Sequence, residues 1–391
     1  DVFKYRCMGI DMKSLEDLKV AIVHDQLACY GGAERVVENF KEIFPQADVY
    51  TAFVNKEGMG DQWERFEGWK IYSSWARKLP FIKEYPALYQ LLSYMFFSSF
   101  DLSSYDIVLS STVWFSKAVT TKKLPLHLCY CHTPGRSLYG YEHTPLTVKR
   151  LIRDIFWMPP LMRFLDKKSA HNVDVMMSNS NEVKKRIKEC YDIDAITVYP
   201  PIEISEDSIL FANERKHVLA VGRLVKTKHF DCAIHACNRL KQPLIIAGSG
   251  GRCKKDLMAI AGPTVTFLED VSDEKLHHLY KTAKAVIYPA ENEDFGMVPV
   301  ESMARGTPVI VPRQGGFLES VKEEVNGYFM ESISADEATR VLQKSLEKQW
   351  DYKAVFESSI RFSKEVFQEK IKLLVCEGLR EKEKTKAELN D

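Results

Sequence analysis

The first patterned segment of the chain is a short aliphatic run, Leu18 to His24, bounded by polar residues. A continuous apolar run of this length is typical of a strand that is buried on both faces of a parallel sheet. Gly31 and Gly32 follow, and apolar positions then recur at helical spacing between Ala33 and Phe40. This order of strand, glycine turn and helix predicts the start of a doubly wound α/β domain.

Similar apolar runs recur along the chain, with helical patterns between them, which predicts two parallel sheets. After the two prolines Pro200 and Pro201, the polar stretch from Glu203 to Lys216 marks a domain boundary. We therefore expect one Rossmann-like domain over 1–203, a second over 204–360, and a helix over 361–391 that packs back on the first domain. Predicted strands lie at 49–52, 107–110, 126–130, 173–177, 196–199, 217–221, 243–247, 264–268, 285–288 and 308–311, and predicted helices include 230–240 and 273–282.

Composition narrows the class of protein. The 391 residues are 45% hydrophobic and 28% charged, which is typical of a globular chain, and 54 basic residues balance 54 acidic ones, which argues against a dedicated nucleic-acid binder. No apolar run approaches the roughly 18 residues that span a bilayer, and no signal peptide is visible. Nine scattered cysteines favour reduced thiols, so we expect a cytoplasmic protein. The segment before Met12 fits no recognised element, so residues 1–17 are expected outside the folded domain, with Met12 a candidate natural start.

Two cations follow the strand predicted at 217–221. Arg223 and Lys228 share the loop Gly222 to Lys228, at the carboxyl end of that strand and before a helix. Fixed cations and helix N-terminal amides together favour an anion. A solvated loop is the alternative interpretation.

Two carboxylates follow the strand predicted at 285–288. Glu293 lies in a loop and Glu301 eight residues later, on the helix that follows. A carboxylate accepts two hydrogen bonds and suits the hydroxyls of a sugar or ribose, while Gly296 allows a close approach of the backbone. The alternative is an acidic loop that caps a helix.

Together these residues resemble the retaining GT-B glycosyltransferases of glycosyltransferase family 4. The segment Glu293-Asp294-Phe295-Gly296-Met297-Val298-Pro299-Val300-Glu301 closely matches the signature of that family. The likeness extends from about Val20 to about Val375. It also includes Gly31-Gly32-Ala33-Glu34-Arg35, Ser178-Asn179-Ser180, Tyr199-Pro200-Pro201 and Phe362-Ser363-Lys364-Glu365-Val366-Phe367.

The resemblance implies a fold and a role for each matching residue. It implies the GT-B fold, in which two Rossmann-like domains face a central cleft. In that fold the domain over 1–203 would lie on the acceptor side, and the domain over 204–360 would bind the nucleotide sugar. Arg223 and Lys228 match the cations that hold the donor diphosphate. Glu293 matches the acid on the donor sugar, and Glu301 the acid on the nucleotide ribose. The backbone of Phe295, Gly296, Met297 and Val298 matches the loop that touches the sugar and the phosphates. Gly31 and Gly32 match the loop of the first domain that closes on the diphosphate and sugar. The segment Leu268 to Val271 matches the one beside the base.

One residue departs from the family pattern, since His229 stands where the family usually has glycine. A side chain at a helix start is expected to be tolerated.

In the first half of the chain, His132 follows a predicted strand and matches the histidine that contacts the donor sugar. Arg136 is a candidate for holding donor or acceptor. The segment Tyr130-Cys131-His132-Thr133-Pro134 resembles the mannosyltransferases of O-antigen and other surface polysaccharides, which implies GDP-mannose as donor.

The resemblance also implies a mechanism that retains the anomeric configuration. Arg223 and Lys228 lie where charge develops on the departing diphosphate, so no metal is required. The hypothesis is a front-face displacement in which the departing phosphate oxygen accepts the proton of the acceptor, while His132 and Glu293 orient the sugar. The pair Asp192-Ile193-Asp194 precedes a predicted strand and is expected to be a surface turn rather than a metal site.

The acceptor is less clearly indicated. Aromatic and basic residues alternate over residues 75–100, a pattern found at membrane interfaces but also in helix packing. Relatives that glycosylate lipid-linked sugars imply a polyprenyl-linked acceptor at the inner face of the cell membrane. The residues concerned are Trp75, Arg77, Lys78, Phe81, Lys83, Tyr85, Tyr89, Tyr94, Phe96 and Phe97.

Several other activities stay open. A donor with a UDP group would keep the same fold and mechanism. A hydride-transferring oxidoreductase should show G-x-G-x-x-G, and the nearest candidate, from Gly248 to Cys253, fails at its last position. A GT-B nucleotide-sugar epimerase and a catalytically silent scaffold are the remaining alternatives.

Overall fold

The chain divides into two compact units, Asp1–Pro201 with Phe367–Asp391, and Ile202–Val366. The computed structural model describes residues 17–84, 89, 92–141, 158–204, 209–210, 212–248, 250–251 and 253–388. Each unit is built on one parallel sheet flanked by helices. The predicted fold class, α/β with two doubly wound Rossmann-like domains, is confirmed.

Within the described residues, the sheet of the first unit has seven parallel strands in the order β3-β2-β1-β4-β5-β6-β7. The strands are β1 Val20–His24, β2 Asp48–Thr51, β3 Ile71–Ser73, β4 Ile107–Thr112, β5 Leu126–Cys131, β6 Val175–Ser178 and β7 Ile196–Thr197. The order reverses between β1 and β4. In a doubly wound sheet, the carboxyl ends of the strands at that reversal are where ligands bind.

Alternate residues of β1 enter two different cores, which explains why the strand appears as an unbroken apolar run. Val20 and Ile22 pack into a core on one face of the sheet, and Ala21 and Val23 into a core on the other. Over the described residues of this unit up to Pro201, the helices are α1 Gly32–Ile43, α2 Lys56–Met59, α3 Ser93–Ser98, α4 Arg136–Tyr139, α5 Met158–Ala170 and α6 Asn181–Tyr191.

The sheet of the second unit has six parallel strands among the described residues, in the order β10-β9-β8-β11-β12-β13. They are β8 His217–Val221, β9 Leu244–Ala247, β10 Val265–Leu268, β11 Ala283–Ile287, β12 Val309–Pro312 and β13 Gly327–Met330. Here the order reverses between β8 and β11. The helices are α7 Phe230–Leu240, α8 Lys254–Ile260, α9 Asp273–Thr282, α10 Met297–Met303, α11 Phe317–Ser320, α12 Ala335–Glu347 and α13 Tyr352–Glu357.

The last helix, α14 Lys364–Glu388, begins in the second unit and continues into the first. From Phe367 onward its apolar side chains join the core beneath β1 and β5. Gly378 allows this approach, since a Cβ there would lie 2.8 Å from Cδ1 of Leu126. No helix in the described part of the chain is both long and apolar enough to cross a bilayer.

The aromatic stretch from Trp75 to Phe100 contributes mainly to the core. Phe96 and Phe97 are buried, and Trp75 and Tyr94 pack against the same cluster. Phe81 is the exception, being 69% exposed, and Tyr85 lies outside the described residues. Packing, rather than a membrane surface, therefore accounts for most of these aromatic residues.

Candidate active site

The loop that follows β8 begins with a glycine in a conformation closed to most residues. Gly222 has φ of +142°, which L side chains rarely adopt. Its carbonyl also lies so close to Gly248 that a Cβ there would come within 1.9 Å. The two glycines let the carboxyl ends of β8 and β9 approach. Arg223 follows and is exposed, and Lys226–Lys228 form one 3-10 turn.

Two of the expected donor-binding residues are joined in the structure. The ammonium of Lys228 pairs with Oε1 of Glu293, and it donates to the hydroxyl of Tyr288 at 2.5 Å. That hydroxyl in turn donates to the same Glu293 oxygen at 3.2 Å. Because β8 and β11 are neighbours, their carboxyl ends bring these side chains together at the reversal of strand order.

Sequence reasoning did not single out Tyr288. The residue directly follows β11 and resembles a core aromatic, being only 4% exposed. Burial and the nearby carboxylate of Glu293 raise the pKa of Tyr288 well above its usual value, so the phenol stays protonated and available as a donor. Its place at the carboxyl end of a strand was the signal that could have identified it.

A glycine pair that sequence reasoning also missed holds the Glu293 loop. The amide of Gly316 donates to the carbonyl of Glu293 at 3.2 Å. A Cβ on Gly316 would lie 2.4 Å from the carbonyl oxygen of Asp294, and one on Gly315 would lie 2.6 Å from that of Glu293. Only residues without a side chain fit against this loop.

The rest of the loop leads into α10. Gly296 caps the helix with φ of +82°, and a Cβ there would lie 2.5 Å from the ring of Phe317. The side chain of Phe295 is buried against Phe362, so only its backbone can reach a ligand. Met297 and Val298 form the first turn of α10, whose amides have no intrahelical acceptor.

Glu301 lies further along α10 and is partly buried. Its Oε2 accepts a hydrogen bond of 2.9 Å from the hydroxyl of Tyr280, on α9. This contact holds the carboxylate in one orientation. The structure therefore places Arg223, Lys228, Glu293 and Glu301 on the loops and the helix that follow β8 and β11. The segment Leu268 to Val271, expected beside the base, lies at the end of β10 instead, at the outer edge of the sheet.

His229, which departs from the family pattern, adopts a left-handed conformation with φ of +46°. Glycine takes this conformation freely, while most side chains strain it. The backbone conformation at this position therefore favours glycine. The expectation that a side chain is tolerated at the helix start did not include this backbone strain. The ring nitrogen Nε2 of His229 lies 3.6 Å from a carboxylate oxygen of Glu291.

The first unit holds a second cluster, at the reversal of strand order between β1 and β4. His132 directly follows β5, and its Nε2 lies 2.8 Å from Oγ of Ser111, on β4. The amide of Asn179 donates to the carbonyl of His132 at 2.9 Å. Burial, together with the charge of His24, lowers the pKa of His132 to about 3, so its ring is neutral near pH 7.

The expected glycine loop of the first unit lies at the start of α1. Gly31 caps this helix in an extended conformation, and Gly32 is its first residue. Arg136 begins α4, shortly after His132, and is partly buried. The expected residues of the first unit therefore follow β1 and β5, at the same edge of the sheet.

A cavity of about 410 Å³ opens beside this cluster, within the first unit. Its polar lining residues include His24, Asp25 and Glu34. Its walls are largely apolar, and they include Phe53, Ile82, Phe96, Phe97, Val113 and Trp114.

The pair Asp192 and Asp194 lies at the end of α6, where Lys188 forms an ion pair of 3.1 Å with each. Asp192 has φ of +60° and ends the helix, so the segment is an exposed turn. Among the described residues, no group of three or more His, Cys, Asp or Glu side chains is placed to hold a metal ion.

Several solved structures share this fold. Anabaena Alr3699/HepE in complex with UDP superposes with a TM-score of 0.66, at 15% identity, over 90% of this chain and 98% of that one. WaaG, a glycosyltransferase involved in lipopolysaccharide biosynthesis, superposes with a TM-score of 0.64, at 14% identity, over 91% and 99%. The fold is therefore GT-B.

Residues 201–364 match the family model described as glycosyl transferases group 1. An uncharacterised glycosyltransferase of Methanocaldococcus jannaschii is 39% identical over 131 residues, which are 32% of this chain and 34% of that protein. The human alpha-1,3/1,6-mannosyltransferase ALG2 is 26% identical over 268 residues, 59% of this chain and 61% of the relative. The chain thus spans between a third and three fifths of the length of these relatives.

Proposed function

We propose that this protein is a retaining, metal-independent glycosyltransferase that transfers mannose from GDP-mannose to a hydroxyl of a glycan or a lipid-linked glycan. The observation that carries the proposal is the cluster of Lys228, Tyr288 and Glu293. It lies at the reversal of strand order, within the group 1 glycosyltransferase domain. The mannosyltransferase among the relatives supports the choice of sugar.

The chemistry that this domain would perform is the stabilisation of a leaving group. Cleavage of the anomeric bond releases a nucleoside diphosphate whose negative charge grows in the transition state. Lys228 is held by two partners, and Arg223 is exposed five residues before it, so positive charge is preorganised in the loop after β8. Groups placed in this way commonly contribute about 3–4 kcal/mol each to a barrier.

Glu293 has a double role in this proposal. Its carboxylate orients Lys228, and it retains acceptor capacity for a sugar hydroxyl, because a carboxylate offers about four lone-pair positions. Glu301, oriented by Tyr280, is assigned to the ribose hydroxyls. The backbone amides of Met297 and Val298 are assigned to the phosphates.

In the first unit we assign His132 to the donor sugar and the cavity of about 410 Å³ to the acceptor. His132 is neutral near pH 7, so it acts through a hydrogen bond rather than through charge. The lining of the cavity combines polar side chains such as His24 and Glu34 with apolar ones such as Phe53 and Trp114. Sugars present both hydroxyls and apolar C–H faces, which this lining suits.

The test distinguishes the identity of the donor from the type of reaction. Binding of GDP, UDP, ADP, dTDP and their common sugar conjugates is measured by thermal shift in EDTA, followed by assay of sugar transfer. A ligand at 100 times its Kd stabilises the folded protein by about 2.7 kcal/mol, which is readily measured. Stabilisation by GDP and GDP-mannose alone supports the mannosyltransferase. Stabilisation by UDP-sugars instead keeps the mechanism and replaces the donor. Donor consumption without an acceptor would indicate an epimerase.

Variants then test the site. Lys228→Ala and Glu293→Gln should each lower turnover at least 100-fold, since each removes a group that stabilises the transition state. Lys226→Ala is the matched control, because Lys226 is an exposed lysine of the same loop. Near-normal rates in both test variants would refute the site assignment.

We also propose contact with an anionic membrane surface through α5. Leu161 and Phe164 are 55% and 63% exposed on this helix, and the neighbouring Arg163, Lys167 and Lys168 are exposed too. Apolar side chains among basic ones favour the interface of an anionic bilayer.

Co-sedimentation with anionic vesicles tests this contact. Phe164→Ser should reduce binding. Met258→Ser, which changes a side chain 53% exposed on α8, should leave binding unchanged. Equal binding by both variants would count against α5.

A further inference from the structure

Four polar side chains form one hydrogen-bonded chain inside the first unit. Nε2 of His24 lies 3.2 Å from Oε1 of Glu34, and Nδ1 of His24 lies 3.2 Å from Oγ of Ser111. Oγ of Ser111 lies 2.8 Å from Nε2 of His132. Ser111 is fully buried, and His24 and Glu34 are 3% and 7% exposed. Glu34 is thereby connected, through two side chains, to the histidine that follows β5.

The number of hydrogens available to the four side chains restricts which of them can donate. A serine hydroxyl carries one hydrogen and two acceptor positions, and a neutral imidazole carries one N–H. Within the described residues, the Oγ of Ser111 has the two histidine rings as its hydrogen-bonding partners. The single hydrogen of Ser111 therefore points either to His24 or to His132.

The protonation state of His24 decides between these two arrangements. Neutral His24 donates from Nε2 to the carboxylate of Glu34, so its Nδ1 accepts the hydrogen of Ser111. His132 must then donate from Nε2, and its Nδ1 is left as an acceptor. Cationic His24 donates from both nitrogens, so Ser111 turns its hydrogen to Nε2 of His132. The neutral ring of His132 must then carry its hydrogen on Nδ1.

The charged and titratable groups that face His24 are Glu34 on α1, Asp25 after β1, and His132 after β5. Asp25 accepts four backbone hydrogen bonds from residues 113–116, and its charge also favours the cation of His24. Burial lowers the pKa of His24, but the hydrogen bond and charge of Glu34, together with the charge of Asp25 and a backbone hydrogen bond at Ser111, outweigh burial and raise the pKa above its usual value. Both His24 and Glu34 also line the cavity. A ligand that carries charge into the cavity would therefore act on this equilibrium.

We propose that Ser111 is a positioning residue that couples the charge of His24 to the tautomer of His132. In one state Nδ1 of His132 accepts a hydrogen bond, and in the other it donates one. The inference deepens the proposed function, on which it rests for the statement that His132 meets the donor sugar. A hydroxyl can serve either tautomer, but a phosphate oxygen can be bound only by the donor form. The charge of His24 would thus change what His132 can bind.

Ring ¹⁵N NMR of the free protein, with labelled histidine, tests the coupling. His24→Gln and His132→Gln assign the two signals among the ten histidines of the chain. In the wild type, the tautomer of His132 should change with the same pH midpoint as the charge of His24. In Glu34→Gln both midpoints should move together to lower pH, because the carboxylate that stabilises the cation is gone. A His24 midpoint that moves while the His132 tautomer stays constant would overturn the proposal.

Ser111→Ala should separate the two titrations, so that His132 no longer follows His24. Ser110→Ala is the matched control. Ser110 is also fully buried on β4, but its hydroxyl bonds His127 at 2.9 Å instead. Retained coupling in Ser111→Ala, or lost coupling in Ser110→Ala, would refute the role of Ser111. Because these signals require no sugar transfer, absence of transferase activity would refute the proposed function and leave the coupling intact.

Discussion

The carboxylate of Asp25 offers a sharp test of how the first unit is held together. It follows β1 and is 9% exposed. Oδ2 accepts the amides of Val113 and Trp114 at 2.6 and 2.9 Å, and Oδ1 accepts those of Phe115 and Ser116 at 3.1 and 2.9 Å. One side chain thus satisfies four consecutive amides beyond β4. Asp25→Asn replaces one of the two oxygens with an NH₂ group, which must face two N–H donors.

The expected loss follows from these four bonds. Hydrogen bonds to a charged group contribute about 1.5–3 kcal/mol each, and neutral ones about 1 kcal/mol. The variant loses two charge-assisted bonds and weakens the other two, while the displaced amides find partial compensation from water. We expect the free energy of unfolding of the first unit to fall by about 4 kcal/mol.

Urea unfolding followed by tryptophan fluorescence measures this change, since Trp114 lies in the loop itself. Asp101→Asn is the control in the same unit. Oδ1 of Asp101 accepts two bonds from Ser103, and Oδ2 only pairs with Lys122, on an exposed surface. An exposed ion pair contributes less than about 1 kcal/mol, so the control should unfold almost as the wild type does. A difference between the two variants below about 1 kcal/mol would refute the reasoning.

Three further outcomes are expected. Tyr288→Phe should lower kcat/KM about tenfold without loss of stability, because the hydroxyl that joins Lys228 to Glu293 is removed while the ring remains; initial rates measure this. In His217→Gln, the loss in the free energy of unfolding of the second unit between pH 7 and pH 4 should be about 3 kcal/mol smaller than in the wild type; denaturation at the two pH values measures it. Burial lowers the pKa of His217 from 6.5 to about 4, so the stability it contributes above pH 6.5 is lost as pH falls towards 4. Gly316→Ala should weaken nucleotide binding more than tenfold in calorimetry, because its Cβ displaces the Glu293 loop.

Controls for these three changes lie in the same unit. Tyr328→Phe alters a tyrosine that packs on Trp350, away from Glu293, and should keep normal rates. Equal acid sensitivity of His217→Gln and the exposed-site variant His278→Gln would contradict the role of burial. Wild-type nucleotide affinity in Gly316→Ala would show that the loop accommodates the added carbon.

Local patterns predicted the fold well where the local chain itself decides the structure. Helices α7 and α9 begin and end where their apolar spacing indicates, and Ser272 caps α9 by accepting the amide of Lys275. Strands β3 and β13 were missed, although β7 and β10, which are also edge strands, were predicted. β3 has only three residues, none of them buried, and β13 begins with glycine, which is depleted in strands.

The candidate site likewise contains residues that the sequence indicated and residues that it did not. Motifs continuous in sequence, such as Glu293 to Glu301, were found through their resemblance to a family. Ser111 and His24 were not, because they lie 87 residues apart and are embedded in apolar strands that suggest only a core. Tyr288 was hidden for the same reason. The aromatic stretch that ends at Phe100 shows the converse, since composition alone does not distinguish side chains that pack inward from those that face a membrane.

Helix α14 has a consequence for the order in which the chain is made. A ribosome releases the chain from its N-terminus, so all of β1 to β7 emerges before Phe367 does. The second unit, Ile202–Val366, is complete while the first still lacks the side chains of Phe367, Ile371 and Leu374 that close its core. During that interval the apolar face around Phe40 and Val198 stays uncovered. The unit whose synthesis begins first is therefore the last to finish folding, and a stop codon shortly before Phe367 would leave it permanently open.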